Sequence, residues 1–386
     1  MGKVKLSPNY QKKARIARVL AREPQNMKIG IDIRTACGKK AGKGQYTFNT
    51  VKELLKQDNK NEYILYANAI TSDLAAFGNA HIKVIDKKSL FWHFAVIKDF
   101  KKHGGDVFFA PTSFIIPAFL PRKIKSVITV HDLVSFLHPN LHQAKATILE
   151  HLFFRMAMRK TAHIIVPSHN TKNDLMKMFR CPESKITVTH LGVSEKFFKT
   201  PENLKAVKEK YNLPENFILT VSGLEPRKNI SALVDAVSSA KDLKGAKLVI
   251  VGSKGWKSEK LQQKIAGLKN SVHHILNCED DELAVFYHLA KIFVYPSLYE
   301  GFGLPPLEAM ASGCPVICSN ISSLPEVCGN AALMFNPNSV DELKSAIEKL
   351  LADEKLRTEL KEKGLKHAKE FTWQKTAEKT LKVLGN

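Results

Sequence analysis

Two cations stand side by side in the stretch Gly223-Leu224-Glu225-Pro226-Arg227-Lys228-Asn229, directly after the apolar run 217–222. At a turn from a strand into a helix such a pair suits a diphosphate, because a guanidinium forks onto two oxygens while an ammonium supplies a point charge. Taken alone, an Arg-Lys pair reads sooner as a solvated basic turn. A second stretch changes that balance. Pro296-Ser297-Leu298-Tyr299-Glu300-Gly301-Phe302-Gly303-Leu304-Pro305-Pro306-Leu307-Glu308-Ala309-Met310-Ala311-Ser312-Gly313 is a glycine loop feeding a helix started by proline and closed by glycine. Gly301 and Gly303 let backbone amides approach a ligand, and the unsatisfied amides at the helix start attract phosphate. Glu300, at the loop edge, is placed to accept hydrogen bonds from sugar hydroxyls. Glu308 lies in the first turns of the helix, where compensation of the helix dipole is its plain role.

The elements that must position these residues follow from the pattern of apolar runs. From Met27, short runs at 27–33, 63–67, 81–85, 107–110, 127–131, 163–167 and 186–189 alternate with helical periods, the signature of a buried parallel sheet. Helices are expected over 47–55, 144–158 and 173–179, the last with a start resembling a capping box made by Thr171 and Asp174. Residues 107–121 read as a strand and a loop. After a polar stretch the pattern resumes with strands at 217–222, 247–252, 272–276, 292–295, 315–319 and 331–335. A chain of 386 residues is long for one core. The reading is an α/β protein of two doubly wound, Rossmann-like parallel-sheet domains facing a central cleft. The domains are 27–198 and 199–370, preceded by a basic amphipathic or disordered extension, 1–26, and followed by a helix, 371–386, free to return onto the first domain. Ligands of such sheets sit beyond the carboxyl ends of the strands, and both candidate stretches follow strands.

The run from Tyr295 to Asn336 resembles the donor site of family 4 glycosyltransferases, a retaining group with the GT-B fold. The resemblance rests on Glu300 and Glu308 of a glutamate-x7-glutamate motif, on Gly313-Cys314-Pro315-Val316-Ile317, and on Leu324-Pro325-Glu326-Val327 before Ala331-Ala332-Leu333. Thr129-Val130-His131-Asp132-Leu133, Val166-Pro167-Ser168 and Phe371-Thr372-Trp373 extend it over nearly the whole chain from about Met27. It implies that Arg227 and Lys228 hold the leaving diphosphate, Glu300 binds donor-sugar hydroxyls, and Glu308 binds the ribose. Backbone amides of Phe302, Gly303 and Leu304, beside Gly301, would position phosphate and sugar. His131 would sit over the donor sugar, with a core histidine as the alternative, and the loop of Gly42 and Gly44 would face phosphate or acceptor. One departure stands out: Gly223 occupies a place where the family often has arginine, while Glu-Pro-Arg-Lys-Asn is shared by a subgroup that resembles bacterial mannosyltransferases of surface polysaccharide synthesis. GDP-mannose is therefore the expected donor and a UDP-sugar the alternative. Retention of anomeric configuration follows from the resemblance alone.

Composition narrows the remaining classes. Lysine and arginine total 59 against 37 acidic residues, a net charge of +22, which draws the molecule to polyanions. Zinc-finger spacing and RNP-type aromatics are missing, so nucleic acid is not the expected partner. The expected partners are a nucleotide-sugar donor, a glycan or lipid-linked acceptor, and an anionic membrane surface met through the basic segment 1–26. The six cysteines lack CxxC pairs and suit reduced thiols. No secretory signal is apparent, and a cytoplasmic protein, peripheral at the inner membrane face, is expected. No Asp-x-Asp metal site appears, and Glu279-Asp280-Asp281-Glu282 reads as the opening of a helix, so neither metal nor cofactor is expected. The Gly42/Gly44 pair lacks the third glycine of a dinucleotide fingerprint. A hydrolase would need two carboxylates across the sugar bond, and none are marked. An epimerase on the same fold and a polyanion-binding protein without catalysis stay as alternatives.

Overall fold

The computed structural model describes residues 26–38, 42–69, 72–138, 144–276 and 278–385, so the basic segment 1–26 lies, but for Asn26, outside the described residues. Two parallel sheets dominate. The first has seven strands, β1 Lys28–Asp32, β2 Glu62–Ala67, β3 Ala80–Val84, β4 Val107–Ala110, β5 Lys125–Thr129, β6 His163–Val166 and β7 Ile186–Val188, in the spatial order β3-β2-β1-β4-β5-β6-β7. The second has six, β8 Phe217–Val221, β9 Lys247–Val251, β10 Val272–Ile275, β11 Ile292–Tyr295, β12 Val316–Ser319 and β13 Ala332–Phe335, in the order β10-β9-β8-β11-β12-β13. In each sheet the order reverses beside the first strand, at β1/β4 and at β8/β11. Connections leave these neighbours toward opposite faces, which opens a crevice at their carboxyl ends.

The strands form where the sequence offers short runs that are apolar on both faces, because helices cover both sides of each sheet. Ile29, Ile31, Leu65, Val107, Phe109 and Val127 meet helix α1, Lys43–Gln57, through Val51, Leu54 and Leu55. The opposite face packs on α2 Ser89–Lys102, α3 Ile115–Phe119, α4 Ala144–Lys160 and α5 His169–Phe179, through Trp92, Val96, Phe100, Ile116, Phe154 and Leu175. In the second domain α6 Ile230–Ser239 covers one face with Leu233, Val234 and Val237. The other face packs on α7 Leu283–Leu289 and α8 Leu304–Ala311 through Val285, Phe286, Leu307 and Met310. Helix α9, Leu324–Cys328, follows β12.

The last helix, α10 Trp373–Gly385, crosses back onto the first domain, where Ala377, Val383 and Leu384 join the core beside α1. Its entry is tight: a Cβ on Gly192 would stand 2.1 Å from the Trp373 backbone nitrogen. Thr376 donates to the His190 carbonyl at 2.8 Å, and the Gln57 amide to the Gln374 carbonyl at 3.1 Å.

Three local expectations give way. Helix α5 starts at His169, not Asn173: Ser168 is the cap, accepting the Thr171 N–H at 3.1 Å, so Thr171 lies within the first turn. Residues 107–121 hold β4 and then the short helix α3 rather than a loop, with Pro117 inside it and buried. Strand β5 ends at Thr129, two residues before His131, so the histidine stands on the loop that leaves the ladder.

Replacing Gly192 by Ala is expected to loosen α10, costing about 1–3 kcal/mol by forced overpacking. The denaturation midpoint measures it, with Gly78→Ala, whose Cβ meets nothing within 4 Å, as the unchanged control.

Candidate active site

Strand β8 ends at Val221, and a short 3-10 turn, Pro226–Lys228, leads to Asn229 in the left-handed region and so into α6. The Asn229 amide donates to the Pro337 carbonyl at 2.9 Å, and the Leu298 N–H donates to the Arg227 carbonyl at 2.9 Å. The turn after β8 is thereby bound to the loop after β11, its neighbour across the switch point. Glu300 lies in that second loop. The Arg227 guanidinium meets one of its carboxylate oxygens at 2.7 Å and the Lys228 ammonium meets the other at 2.7 Å. Lys228 also donates to the Tyr295 hydroxyl at 2.8 Å, and that hydroxyl donates on to Glu300 at 3.0 Å. Arg227 further donates to the Tyr299 carbonyl at 2.8 Å.

These three side chains are only 20%, 13% and 10% exposed, so water screens them weakly. Burial alone would push the Glu300 carboxyl up, but the Lys228 and Arg227 charges outweigh it and hold the group down at about 2. The cations respond in kind: burial opposes their charge, Glu300 restores it, and both stay protonated above their ordinary range. Two cations share one carboxylate, leaving one net positive charge at the crevice.

The glycine loop is held from three sides. The Glu300 N–H donates to the Ser322 hydroxyl at 3.0 Å, and the Ser323 hydroxyl donates to the carbonyls of Glu300 and Phe302 at 2.9 and 2.6 Å. From the first domain, the Ser168 and Thr171 hydroxyls donate to the Gly301 carbonyl at 2.7 and 3.2 Å. A Cβ on Gly301 would lie 1.9 Å from the His131 carbonyl, so this glycine is required by the other domain's backbone rather than by a ligand alone. Gly303, with φ +117°, is the N-cap of α8, whose first residue, Leu304, lines one of the cavities described below.

His131 packs edge-on against Tyr46, ring centroids 4.7 Å apart, with its Nε2 2.8 Å from the Pro111 carbonyl. A carbonyl accepts only, so Nε2 carries the proton and Nδ1 is the acceptor. Burial, then the nearby Lys43 charge, pushes its pKa down to about 4, and the ring is neutral at pH 7. Glu308 accepts the Tyr287 hydroxyl at 3.0 Å, and burial pushes its carboxyl up to about 7.

Two cavities are lined by the candidate residues, and Arg227 of the ion cluster reaches the first. One, of about 340 Å³, is lined by Lys43, His131, Asp132, Phe154, Glu225 and Arg227. The other, of about 240 Å³, is lined by Gly42, Lys196, Val221, Asp280, Leu304 and Glu308. The structure thus gathers Arg227, Lys228 and Glu300 in one contact, with His131 lining the cavity that Arg227 reaches and Glu308 and Gly42 lining the other; Gly44 is buried in the first turn of α1. Asp280 and its neighbours lead into α7 as expected, with Glu282 its N-cap, Asp280 accepting from Gln45 at 3.2 Å and Glu282 from Lys210 at 2.7 Å.

Sequence reasoning missed Tyr287, Tyr295 and the role of Glu326. The tyrosines sit in a helix and a strand with no local signal. Glu326 stood in a quoted motif without a role: from α9 it accepts the His169 and Asn170 N–H groups of α5 at 2.9 and 3.3 Å and meets His190 Nε2 at 2.7 Å. His169, His190 and Glu326 are also the group among the described residues whose ligand atoms, within 4.8 Å of one another, could gather a metal ion. Their carboxylate is already committed to helix amides on the seam between the domains.

Glu300→Gln leaves two buried cations without their counter-charge, and breaking such a cluster costs about 3–5 kcal/mol. The thermal midpoint is expected to fall and to be restored by pyrophosphate more strongly than in the wild type. Because the Glu300 pKa is depressed, its contribution is present above the ordinary carboxylate range and is lost as pH falls toward about 2; the variant lacks that acid limb. An unchanged midpoint contradicts the cluster's role.

With this geometry in place, comparison with known proteins gives a consistent result. Residues 42–197 match the profile of Glycosyltransferase Family 4 and residues 202–367 that of Glycosyl transferases group 1. The O-antigen chain mannosyltransferase B of Escherichia coli is 32% identical over 297 residues, covering 75% of this chain and 75% of that protein. The serotype-specific mannosyltransferase WbdA of Escherichia coli is 34% identical over 263 residues, 66% of this chain but only 32% of WbdA. Among solved structures, Anabaena HepE in complex with UDP and glucose superposes with a TM-score of 0.74 at 17% identity, covering 93% of this chain and 99% of that one. Matched profiles in both halves, a relative aligned over three quarters of its length and a shared two-sheet architecture lead to one statement: this chain belongs to the family 4 glycosyltransferases and has their GT-B fold.

Proposed function

We propose that this glycosyltransferase moves mannose from GDP-mannose onto a lipid-linked or surface glycan acceptor, with retention and without a metal ion. The observation that carries the reading is the Arg227–Glu300–Lys228 cluster at the carboxyl ends of β8 and β11, with Arg227 lining a cavity of about 340 Å³. The mannosyl donor is supported by the relatives named above, which are mannosyltransferases.

A diphosphate entering the crevice competes with Glu300 for two cations that are already charged and fixed. Arg227 and Lys228 then turn to phosphate oxygens, and the Glu300 carboxylate becomes available to sugar hydroxyls. As the bond from the anomeric carbon to the phosphate oxygen breaks, negative charge grows on that oxygen. Cations fixed beforehand stabilise this change without reorganisation, as do the amides of Phe302, Gly303 and Leu304 at the start of α8. The acceptor oxygen bonds to the anomeric carbon from the leaving-group face, and its proton passes to the departing phosphate oxygen. Neutral His131, accepting through Nδ1, orients the sugar without adding a positive charge beside the oxocarbenium-like centre. Glu308 accepts from the ribose through the oxygen that Tyr287 does not hold. The acceptor lies on the His131 side, in the larger cavity. The excess of 22 positive charges favours work at an anionic membrane face, and no helix among the described residues is long and apolar enough to cross a membrane.

Thermal stabilisation by GDP, UDP, ADP and their sugars, with and without magnesium, tests the reading, since ligand at one hundred times its Kd adds about 2.7 kcal/mol. GDP is expected to give the largest shift, unchanged by a chelator and lost in Arg227→Ala and Glu308→Ala. GDP affinity should also fall as pH drops below about 7, because Glu308 becomes protonated and accepts fewer bonds, and Glu308→Gln should lose that dependence. A shift with UDP alone overturns the donor, and a magnesium requirement overturns metal independence.

A further inference from the structure

Gly223 stands where this family often has arginine, and the space beside it is filled by the loop after β9. A Cβ on Gly223 would lie 2.9 Å from the Ser253 hydroxyl oxygen and 3.4 Å from Glu225 Oε1. The two loops are bonded as well. The Ser222 N–H donates to the Val251 carbonyl at 2.9 Å, and the Leu224 N–H donates to the Ser253 carbonyl at 3.1 Å. Gly255, with φ +67°, turns the chain against the same stretch, and a Cβ there would lie 2.8 Å from the Glu225 backbone nitrogen. Just beyond, the Ser258 hydroxyl donates to the Lys254 carbonyl at 2.5 Å and accepts the Gln262 amide at 2.7 Å, which closes 254–258 into a turn. The aromatic residue held inside that turn is Trp256.

A tryptophan ring offers a large apolar area and normally contributes it to a core. The other two of the protein's three tryptophans do so: Trp92 is 1% exposed and Trp373 7%. Trp256 is only half-buried, and it joins none of the core clusters of either domain. Among the described residues its ring meets the Lys257 ammonium, 5.2 Å from the ring centroid, and no other ring. It lines the larger cavity instead, where it is the aromatic wall supplied by the second domain, while Phe114 and Phe136 are supplied by the first. The glycines on either side of it thus serve to hold a ring at the cavity, not to bury one.

The chemistry of the cavity narrows what that ring can hold. Glu225 and Asp132, one from each domain, line it with the tryptophan. A pyranose presents C–H bonds on one face and hydroxyls around its rim. Its C–H hydrogens carry a small positive charge and favour the negative face of an aromatic ring, and its hydroxyls donate to carboxylates. A diphosphate gains nothing from an indole, and an acyl chain gains nothing from two carboxylates. An uncharged sugar uses both.

We propose that Trp256 is the platform on which the terminal sugar of the acceptor stacks, with that sugar's hydroxyls turned to Glu225 and Asp132. The proposal deepens the function given above and rests on it for the acceptor's being a glycan. Trp256 takes no part in the bond changes; it decides which acceptor binds and where its attacking hydroxyl stands. Because Trp256 and Glu225 belong to the second domain and Asp132 to the first, the acceptor is held by both domains at once.

The test uses the full chain with GDP present and α-linked mannobiose, lactose and N,N′-diacetylchitobiose as acceptor probes. Since Trp92 and Trp373 are buried, a saccharide in the cavity should change the emission of Trp256 alone. Mannobiose is expected to shift the emission to shorter wavelength, saturably, and Trp256→Phe should abolish the signal. In transfer from GDP-mannose, Trp256→Ala should raise the KM for mannobiose about tenfold and leave kcat within about twofold. Trp256→Phe should recover most of that loss and Trp256→Leu none of it, because the ring and not the bulk is required. All three variants should keep the wild-type thermal midpoint and GDP-induced shift, since Trp256 belongs to no core. The proposal falls if none of the three saccharides changes the emission, or if the change survives in Trp256→Phe. It falls also if Trp256→Ala lowers the GDP-induced shift while the acceptor KM stays put, because the ring then serves the donor. Absence of a GDP shift in every protein, with saccharide binding still read at Trp256, overturns the glycosyl-transfer reading and leaves the sugar platform standing.

Discussion

Placing three ions in a crevice where water screens them poorly is tolerable only if their geometry is fixed on every side, and the Arg227–Glu300–Lys228 contact imposes that condition on both domains. The two loops that carry it leave adjacent parallel strands, β8 and β11, and the bond from Leu298 to the Arg227 carbonyl fixes their separation. Ser322 and Ser323 hold the carboxylate's own backbone. With one carboxylate between two cations, the cluster is partly neutralised and keeps one net positive charge, which is what the proposed diphosphate would meet. The same arrangement keeps both cations charged, as the proposed departure of a diphosphate would require.

Glu300 also ties the chemistry to the other domain, because the next residue, Gly301, packs directly against it. Its carbonyl takes two hydroxyls from the start of α5, and its missing side chain makes room for the His131 carbonyl. Glu326 does the reciprocal work a short distance away, supplying a carboxylate to the amides that begin α5, where the helix dipole favours negative charge. The loop that holds Glu300 and the loop that holds His131 are therefore held side by side. Helix α10 completes the connection by starting near the second domain and burying its apolar face against α1.

Much of this fold is legible in the residues. All thirteen strands fall on expected runs because strands buried on both faces must be apolar throughout, a pattern that needs no knowledge of the partner strand. Adjacent cations after one run and a glycine loop after another mark the crevice for the same reason: both follow strands at a switch point. What the sequence hides depends on distance. Tyr287 and Glu308 are 21 positions apart, and Glu326 lies 136 positions from His190, so no spacing rule connects them. Thr171 resembles a cap and masks the start of α5, while the true cap, Ser168, also donates to a distant carbonyl. Gly301 was recognised as a glycine of consequence, but the atom that excludes a side chain there belongs to the other domain.

The most direct measurement of the central claim is the product formed from GDP-mannose and a mannose-terminated lipid-linked acceptor in the presence of a chelator, with its new linkage read by nuclear magnetic resonance. The account predicts one mannose transferred per GDP released, with the donor's anomeric configuration kept, and a loss of about 100-fold or more in kcat when Arg227 becomes Ala. A product of inverted configuration, interconversion of the donor without an acceptor, or undiminished turnover in the Arg227 variant would contradict it.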